Sequence, residues 1–309
     1  MYSLSKINRH RVRPIEVPVV ELRRLAGSDL FPQIYCTIFL MAKKRSGKTS
    51  NVHKIIKHCA NKSTYVHIFC PTVERDIAYT DVIVPYLEAK GISYTTHMDL
   101  GSLPSVLDEL QHANIDPPPE HPTEAATASC EPGTASLHTE AGTASTASTA
   151  SNNQRCREYL RVDTITDETT GVDVETTDAE KPKRARKPRK TAPENLFIFD
   201  DLGAALRNPT FNTLLKQQRH YKCKIVICSH WLNDLSPEAR RQIDYWLLYP
   251  GHSLEKLTEA YPFMDLTVDV NTFLRLYRSA TNDAYNFLYV DTTRGEFRKN
   301  YDQRYNIRM

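Results

Sequence analysis

Apolar residues along this chain fall into two kinds of pattern. Residues 34–41 (IYCTIFLM) form a near-continuous apolar run of strand length, as expected of a strand buried on both faces. A short polar loop follows, and then Val52, Ile55, Ile56 and Cys59 recur at three- and four-residue spacing, the mark of one helix face. Residues 65–70 (YVHIFC) read as a second strand, stopped by Pro71. Helices are predicted over 82–90, closed by Gly91, and over 102–111. Further on come strands at 196–199, 224–228 and 245–249, with a helix at 208–218. A helix around 273–277 and a strand at 285–290 complete the series. Strands alternating with helices predict an α/β fold whose mostly parallel sheet is covered by helices on both faces.

One stretch breaks the pattern. Between residues 114 and 193 the only aromatic residue is Tyr159. Pro117, Pro118 and Pro119 lead into an Ala/Ser/Thr repeat (GTASTASTASNN). Residues 163–180 then carry seven acidic and no basic side chains, and residues 181–190 (KPKRARKPRK) carry seven basic and no acidic ones. Such a segment offers too little apolar surface to offset its ordering entropy, so a disordered insertion is expected over 113–193. The domain halves flanking it are then 1–112 and 194–309, and together they amount to 228 residues, enough for one α/β domain.

Charge and cysteine content narrow the class. The formal charge is only +3 over 309 residues, so a nucleic-acid surface, if present, is local. Seven cysteines (Cys36, Cys59, Cys70, Cys130, Cys156, Cys223 and Cys228) include no CxxC pair, and several lie in apolar runs, as reduced core thiols do. His53, His58 and Cys59 cluster, but no second ligand pair has zinc-like spacing, so a helix face is the expectation. No apolar core follows the basic start, and no run approaches the ~20 residues of a membrane helix. A soluble, intracellular protein without a membrane partner is expected.

The loop between the first strand and the first helix carries the chemistry. Ala42, Lys43, Lys44, Arg45, Ser46, Gly47, Lys48 and Thr49 fit the spacing of a P-loop, with Ala42 where the first glycine is usual. An alanine fits there if its φ is negative. Ser50 continues the phosphate cradle. Backbone N–H groups and the helix N-terminus would surround the phosphates of ATP. Lys48 would reach the β- and γ-phosphates, and the Thr49 hydroxyl would ligate Mg²⁺. The strand at 196–199 runs directly into Asp200 and Asp201. At such a strand end the first carboxylate can hold Mg²⁺, and the second can polarise the attacking water.

These blocks resemble the genome-packaging ATPases of large DNA viruses and Polinton-type elements, poxvirus and giant-virus members included, within the FtsK–HerA class. The resemblance is carried by AKKRSGKTS, by IFDD, by Gln218-Arg-His-Tyr221 followed by KIVICSH, by LSPEARRQIDYWLLY and by ATNDAYNFLYVD. It implies a P-loop NTPase fold of the RecA/FtsK-like kind, a homo-oligomeric ring, double-stranded DNA as substrate and a capsid or procapsid vertex as partner. The family's polar sensor, normally Ser-Gln, is matched here by Ser229-His230, and His230 is either that sensor or a structural histidine. Arg219 and Arg240 are the arginine-finger candidates, each equally open to an ordinary ion pair. The basic run is either a nuclear-localisation signal or a non-specific phosphate contact, unless it is only a solvated charge run. The host nucleus, a viral assembly site or the virion are the expected locations. Another P-loop DNA-dependent ATPase or helicase, and a nucleotide-dependent DNA-binding scaffold, are the competing functions.

Overall fold

Six parallel strands and three antiparallel ones form a single nine-stranded sheet in the computed structural model, which describes residues 24–113 and 190–307. In chain order the strands are β1 (Thr37–Met41), β2 (Tyr65–Phe69), β3 (Ser93–His97), β4 (Asn195–Asp200), β5 (Cys223–Ser229), β6 (Tyr245–Leu248), β7 (Leu288–Asp291), β8 (Glu296–Lys299) and β9 (Gln303–Arg304). Across the sheet they run β3-β2-β4-β5-β1-β6-β7-β8-β9, antiparallel only from β7 onward. The helices are α1 (Lys48–Cys59), α2 (Val84–Lys90), α3 (Leu103–Ala113), α4 (Pro209–Lys216), α5 (Pro237–Arg240), α6 (Leu254–Ala260) and α7 (Val270–Ala280).

Both faces of the sheet are buried, which is why its central strands read as unbroken apolar runs. On one face Ile38, Leu40, Val66, Ile68, Ile198 and Val226 pack against Val52, Ile55 and Ile56 of α1 and Leu87 of α2. On the other, Phe39, Phe69, Phe197, Phe199, Ile225 and Trp246 pack against side chains of α3, α4, α6 and α7. The aromatic residues there stack as a ladder: Phe199 lies 5.0 Å from Phe69 and 6.0 Å from Phe197, and meets Phe211 of α4 edge-on at 4.9 Å. The α/β, mostly parallel architecture expected from the sequence is therefore present.

Several boundaries move, for identifiable reasons. β1 begins at Thr37 rather than 34, because the chain bends over 34–35 and Cys36 joins only through its carbonyl, which accepts from the Ile225 amide. The helix expected from 82 begins with a π-helical turn at Ala78–Ile83 and ends, as expected, at Gly91 with φ 62°. β3 is half-exposed and polar, and β8 and β9 are short, so none of the three has a strong apolar signature. The expected strand at 285–290 instead spans Leu288–Asp291, because Tyr285 turns to φ 66°.

Residues 114–189 lie outside the described residues, as do Cys130, Cys156 and the basic run up to residue 189. The described residues resume at 190, before the expected boundary at 193. The Thr191 amide donates to the Arg24 carbonyl, the Thr191 carbonyl accepts from Ala26, and the Pro193 carbonyl accepts from Thr64 Oγ1 at 2.9 Å. The five described cysteines are buried free thiols. His53 packs edge-on against Tyr86 at 5.1 Å, and no metal-binding cluster of three His, Cys, Asp or Glu occurs among the described residues.

Truncating Phe199 to Ala should cost about 3–5 kcal/mol, whereas Ile77→Ala, at a residue 71% exposed, should change stability by less than about 0.5 kcal/mol. Urea denaturation of the two variants measures the difference, and equal effects would contradict this packing.

Candidate functional site

Parallel topology brings the C-terminal ends of β1, β5 and β4 to one edge, and the predicted phosphate loop leaves from β1 there. Ala42 is fully buried, and its φ is not positive, so the missing glycine needs no rearrangement. Its amide donates to the Ser229 carbonyl at 3.1 Å, which ties the start of the loop to the end of β5. The turn is made further along, by Arg45 at φ 63° and Gly47 at φ 90°. The Gly47 Cα faces the Tyr285 ring so closely that a Cβ would stand 3.1 Å from it. Gly47 also caps α1, with no side chain spent on the exposed amides of its first turn. Those amides, with Lys43, Lys44, Arg45, Lys48, Thr49 and Ser50, line an open cleft of about 570 Å³. A positively charged cleft at a helix N-terminus is suited to anionic oxygens.

The carboxylates stand on β4, two strands from β1, so roughly 10 Å of sheet separates the two strand ends. Lys48 bridges the gap. Its Nζ lies 2.8 Å from Asp200 Oδ1 and also contacts Asp201 Oδ1. Burial opposes the Lys48 charge, but the Asp200 carboxylate and the hydrogen bonds to both aspartates outweigh it and hold the pKa above its ordinary value. Burial pushes Asp200 upward in turn, while Lys48 pulls it back. Asp200 is 2% exposed and its Oδ2 accepts from the Tyr79 hydroxyl at 2.8 Å. Asp201 is far more open, and its φ of 54° swings the side chain out of the strand and over the loop. His230 completes the group. Its Nδ1 contacts the Ala42 carbonyl, an acceptor only, so the proton sits on Nδ1, and Nε2 faces Asp201 Oδ1 at 3.4 Å.

The fit to Mg²⁺ is favourable. Thr49 lines the cleft and Asp200 supplies a second hard oxygen, buried behind it on Lys48, and an ion bound with a triphosphate leans on few protein ligands, taking the rest from phosphate and water. The Thr49 hydroxyl and Asp200 are the residues that would hold it.

No protein-family model matches the chain. No curated protein matches it either. Among solved structures, it is similar to the genome packaging NTPase B204 from Sulfolobus turreted icosahedral virus 2 in complex with AMP, at 10% identity and a TM-score of 0.45, over 86% of this chain and 96% of that one. It is also similar to B204, the DNA-packaging ATPase from Sulfolobus Turreted Icosahedral Virus, at 11% identity and a TM-score of 0.46, with 86% and 96% covered. For the virus 2 protein in complex with ATP-gammaS the values are 11% and 0.45, over 87% of this chain and 98% of that one.

The two arginines expected to act as fingers lie away from this cluster. Arg219 sits in the turn before β5, at the edge of the sheet opposite the loop, where it is exposed. Its neighbours show what that block does: Gln218 Oε1 accepts from Thr37 Oγ1 at 2.8 Å, and Asp244 accepts from the Thr37 amide at 2.8 Å, tying the starts of β1 and β6 together. Arg240 is 9% exposed and committed internally. It donates to the Leu235 carbonyl at 3.1 Å and to Asn233 Oδ1 at 2.6 Å, and it stacks 5.1 Å from the Phe263 ring.

Tyr79, His252 and Tyr285 join the site without having been singled out in the sequence. Tyr79 arrives on the π-helical turn, a kind of local irregularity found often at functional sites. His252 Nε2 lies 3.0 Å from the Met41 carbonyl, just ahead of the loop. Burial, together with Lys43 and Lys256, lowers the His252 pKa to about 4, and burial together with His97 does the same at His67. Both histidines are therefore neutral in the folded state, and their contribution is fully present above the ordinary value of about 6.5. It is lost as pH falls toward 4, by roughly 3 kcal/mol for each histidine. Urea denaturation between pH 7.5 and 4.5 should show stability falling, and less steeply in His252→Gln; an unchanged slope would contradict this account of His252.

Proposed function

We propose that this chain is an ATP-driven motor that translocates double-stranded DNA into a viral capsid and hydrolyses ATP at the cleft formed by residues 42–50, Asp200 and Asp201. The observation that carries the hydrolytic part is the contact of Lys48 with both carboxylates at the mouth of the loop. The packaging part rests on the sequence resemblance, which also suggests the FtsK–HerA class, a homo-oligomeric ring, and the capsid or procapsid vertex as partner.

The arrangement suggests how the site would act. An incoming γ-phosphate competes with Asp200 and Asp201 for the Lys48 ammonium. Asp201, being exposed, is the one released, because water can take over its solvation. Freed of Lys48, its carboxylate can accept a proton from a water poised in line with the γ-phosphorus. His230 Nε2, 3.4 Å from Asp201, is free to accept a hydrogen bond and so to orient that water. Asp200 stays fixed by Tyr79, and with Thr49 it would hold Mg²⁺. The ion, when bound, neutralises charge on the phosphate oxygens.

A trans-acting arginine fits Arg219 better than Arg240. Arg219 is exposed and far from its own loop, so only a neighbouring subunit's site could receive it. Arg240 is already spent on Asn233 and Leu235. Arg219→Ala should therefore retain stability and lose turnover, with activity restored by mixing in Lys48→Ala subunits. Arg240→Ala should lower stability by roughly 1–3 kcal/mol, from the buried hydrogen bonds left unmade. Mixed-subunit turnover and denaturation midpoints distinguish these, and rescue of Arg240→Ala rather than Arg219→Ala would reverse the assignment.

The deciding experiment is ATP turnover with and without duplex DNA. Duplex should stimulate it without strand separation, and Lys48→Ala and Asp201→Asn should each lower the rate by at least about 100-fold. Strand separation would instead indicate a helicase, and nucleotide binding without turnover a switch or scaffold. Full activity in either variant would remove the site from the mechanism. The host nucleus or a viral assembly site remains the proposed location, to be read by imaging the chain with and without residues 181–190.

A further inference from the structure

The phosphate cleft opens sideways into a second cavity of about 610 Å³, and the two share Gly47, Ser50 and Tyr285. Four rings line the second cavity, those of Tyr249, Tyr285, Phe287 and Tyr301. Phe287 lies 5.2 Å from Tyr249 and 5.1 Å from Tyr301. The Tyr249 hydroxyl accepts from Asn51 Nδ2 at 2.7 Å, and the Tyr301 hydroxyl donates to Asn51 Oδ1 at 2.7 Å, so one buried amide occupies both phenols. Asn300, also on the wall, is spent in the same way: its Nδ2 donates to Asn286 Oδ1 at 2.9 Å and its Oδ1 accepts from the Phe287 amide at 3.1 Å. What the cavity offers a ligand is aromatic surface, with Ser50, Lys54 and Asp302 as exposed polar groups beside it.

Tyr285 stands at the junction. It is 69% exposed, an unusual position for so large an aromatic side chain, and its φ of 66° is costly for a residue other than glycine. Of the six described non-glycine residues with positive φ, four line the joined cavities: Arg45, Asp201, Tyr285 and Asn300. Strain concentrated in this way marks a site that the surrounding structure holds in shape.

Sheet order fixes the direction of a bound nucleotide. The carboxylates and His230 lie on the β5–β4 side of β1, so a γ-phosphate faces that way. The α-phosphate and nucleoside must then extend toward β6 and β7, where Tyr249 follows β6 and Phe287 precedes β7. That is where the aromatic cavity lies.

We propose that this cavity receives the base and ribose of the nucleotide, with Tyr285 as the stacking residue, and that it takes adenine and guanine nucleotides almost equally. The inference rests on the phosphate-site reading above. Stacking is tolerant of base identity because every base has a π-face, and the lining groups that could read a base edge, Ser50, Lys54 and Asp302, are exposed and would give up water for any bond they gain.

Calorimetric titration of the full chain with ATP, GTP and inorganic tripolyphosphate tests it. Wild type should bind ATP and GTP within roughly threefold of each other, and each at least about tenfold more tightly than tripolyphosphate. Tyr285→Ala should weaken both nucleotides about tenfold and leave tripolyphosphate unchanged, while Tyr285→Phe should bind like wild type. Lys48→Ala should lose all three ligands. The inference is overturned if ATP binds no more tightly than tripolyphosphate, if Tyr285→Ala leaves ATP binding intact, or if GTP is rejected. In those cases tripolyphosphate binding still supports the phosphate site. If wild type fails to bind tripolyphosphate and ATP alike, the phosphate-site reading falls, and this inference with it.

Discussion

A single ammonium group joins the two halves of this site. Lys48 belongs to the loop after β1, and Asp200 and Asp201 belong to the end of β4, with β5 between them. A buried carboxylate 2% exposed cannot stay charged without a partner, and Asp200 has Lys48 on one oxygen and the Tyr79 hydroxyl on the other. Removing one member of such a pair costs roughly 3–5 kcal/mol, because the other is left buried and unpaired. The contact that joins the two sides of the cleft is the one an anionic ligand would have to displace. Asp201 has the open side chain and the left-handed backbone, and it is the carboxylate proposed to let go.

The rest of the fold serves that junction. Parallel strands buried on both faces bring three strand ends to one edge without any side chain being spent on placing them. The ladder of Phe69, Phe197, Phe199 and Phe211 fixes β4 against α4, and so fixes where Asp200 emerges. At the far edge, Gln218 and Asp244 hold the starts of β1 and β6 in register. The residues beside Arg219 therefore stabilise the sheet at the end opposite the site.

The central α/β pattern and the loop-plus-carboxylate pair were legible in the sequence because both are local. A buried strand, a glycine-lysine turn and a helix face each sit within one short window, as does an apolar run ending in Asp-Asp. Tyr79 was not legible, since it reaches Asp200 across 121 residues of sequence and stands in a helix with a π-turn that no periodicity predicts. Tyr285 looked like the first residue of a strand, because an aromatic before Phe287 and Leu288 fits the β pattern; only its backbone angle shows that it faces the loop instead. Arg240 was legible as an arginine in the right block, but burial against Phe263 is a tertiary fact. The alanine in the loop, where a first glycine is usual, has a φ that needs no glycine, which is the condition the sequence set for it.

The most direct measurement is a crystal structure of the chain with Mg²⁺ and a non-hydrolysable ATP analogue. The account predicts the γ-phosphate within hydrogen-bonding distance of Lys48 Nζ, with the Lys48–Asp201 contact opened and Asp200 still on Tyr79. Lys48 still bound to both aspartates, with the nucleotide elsewhere, would contradict it.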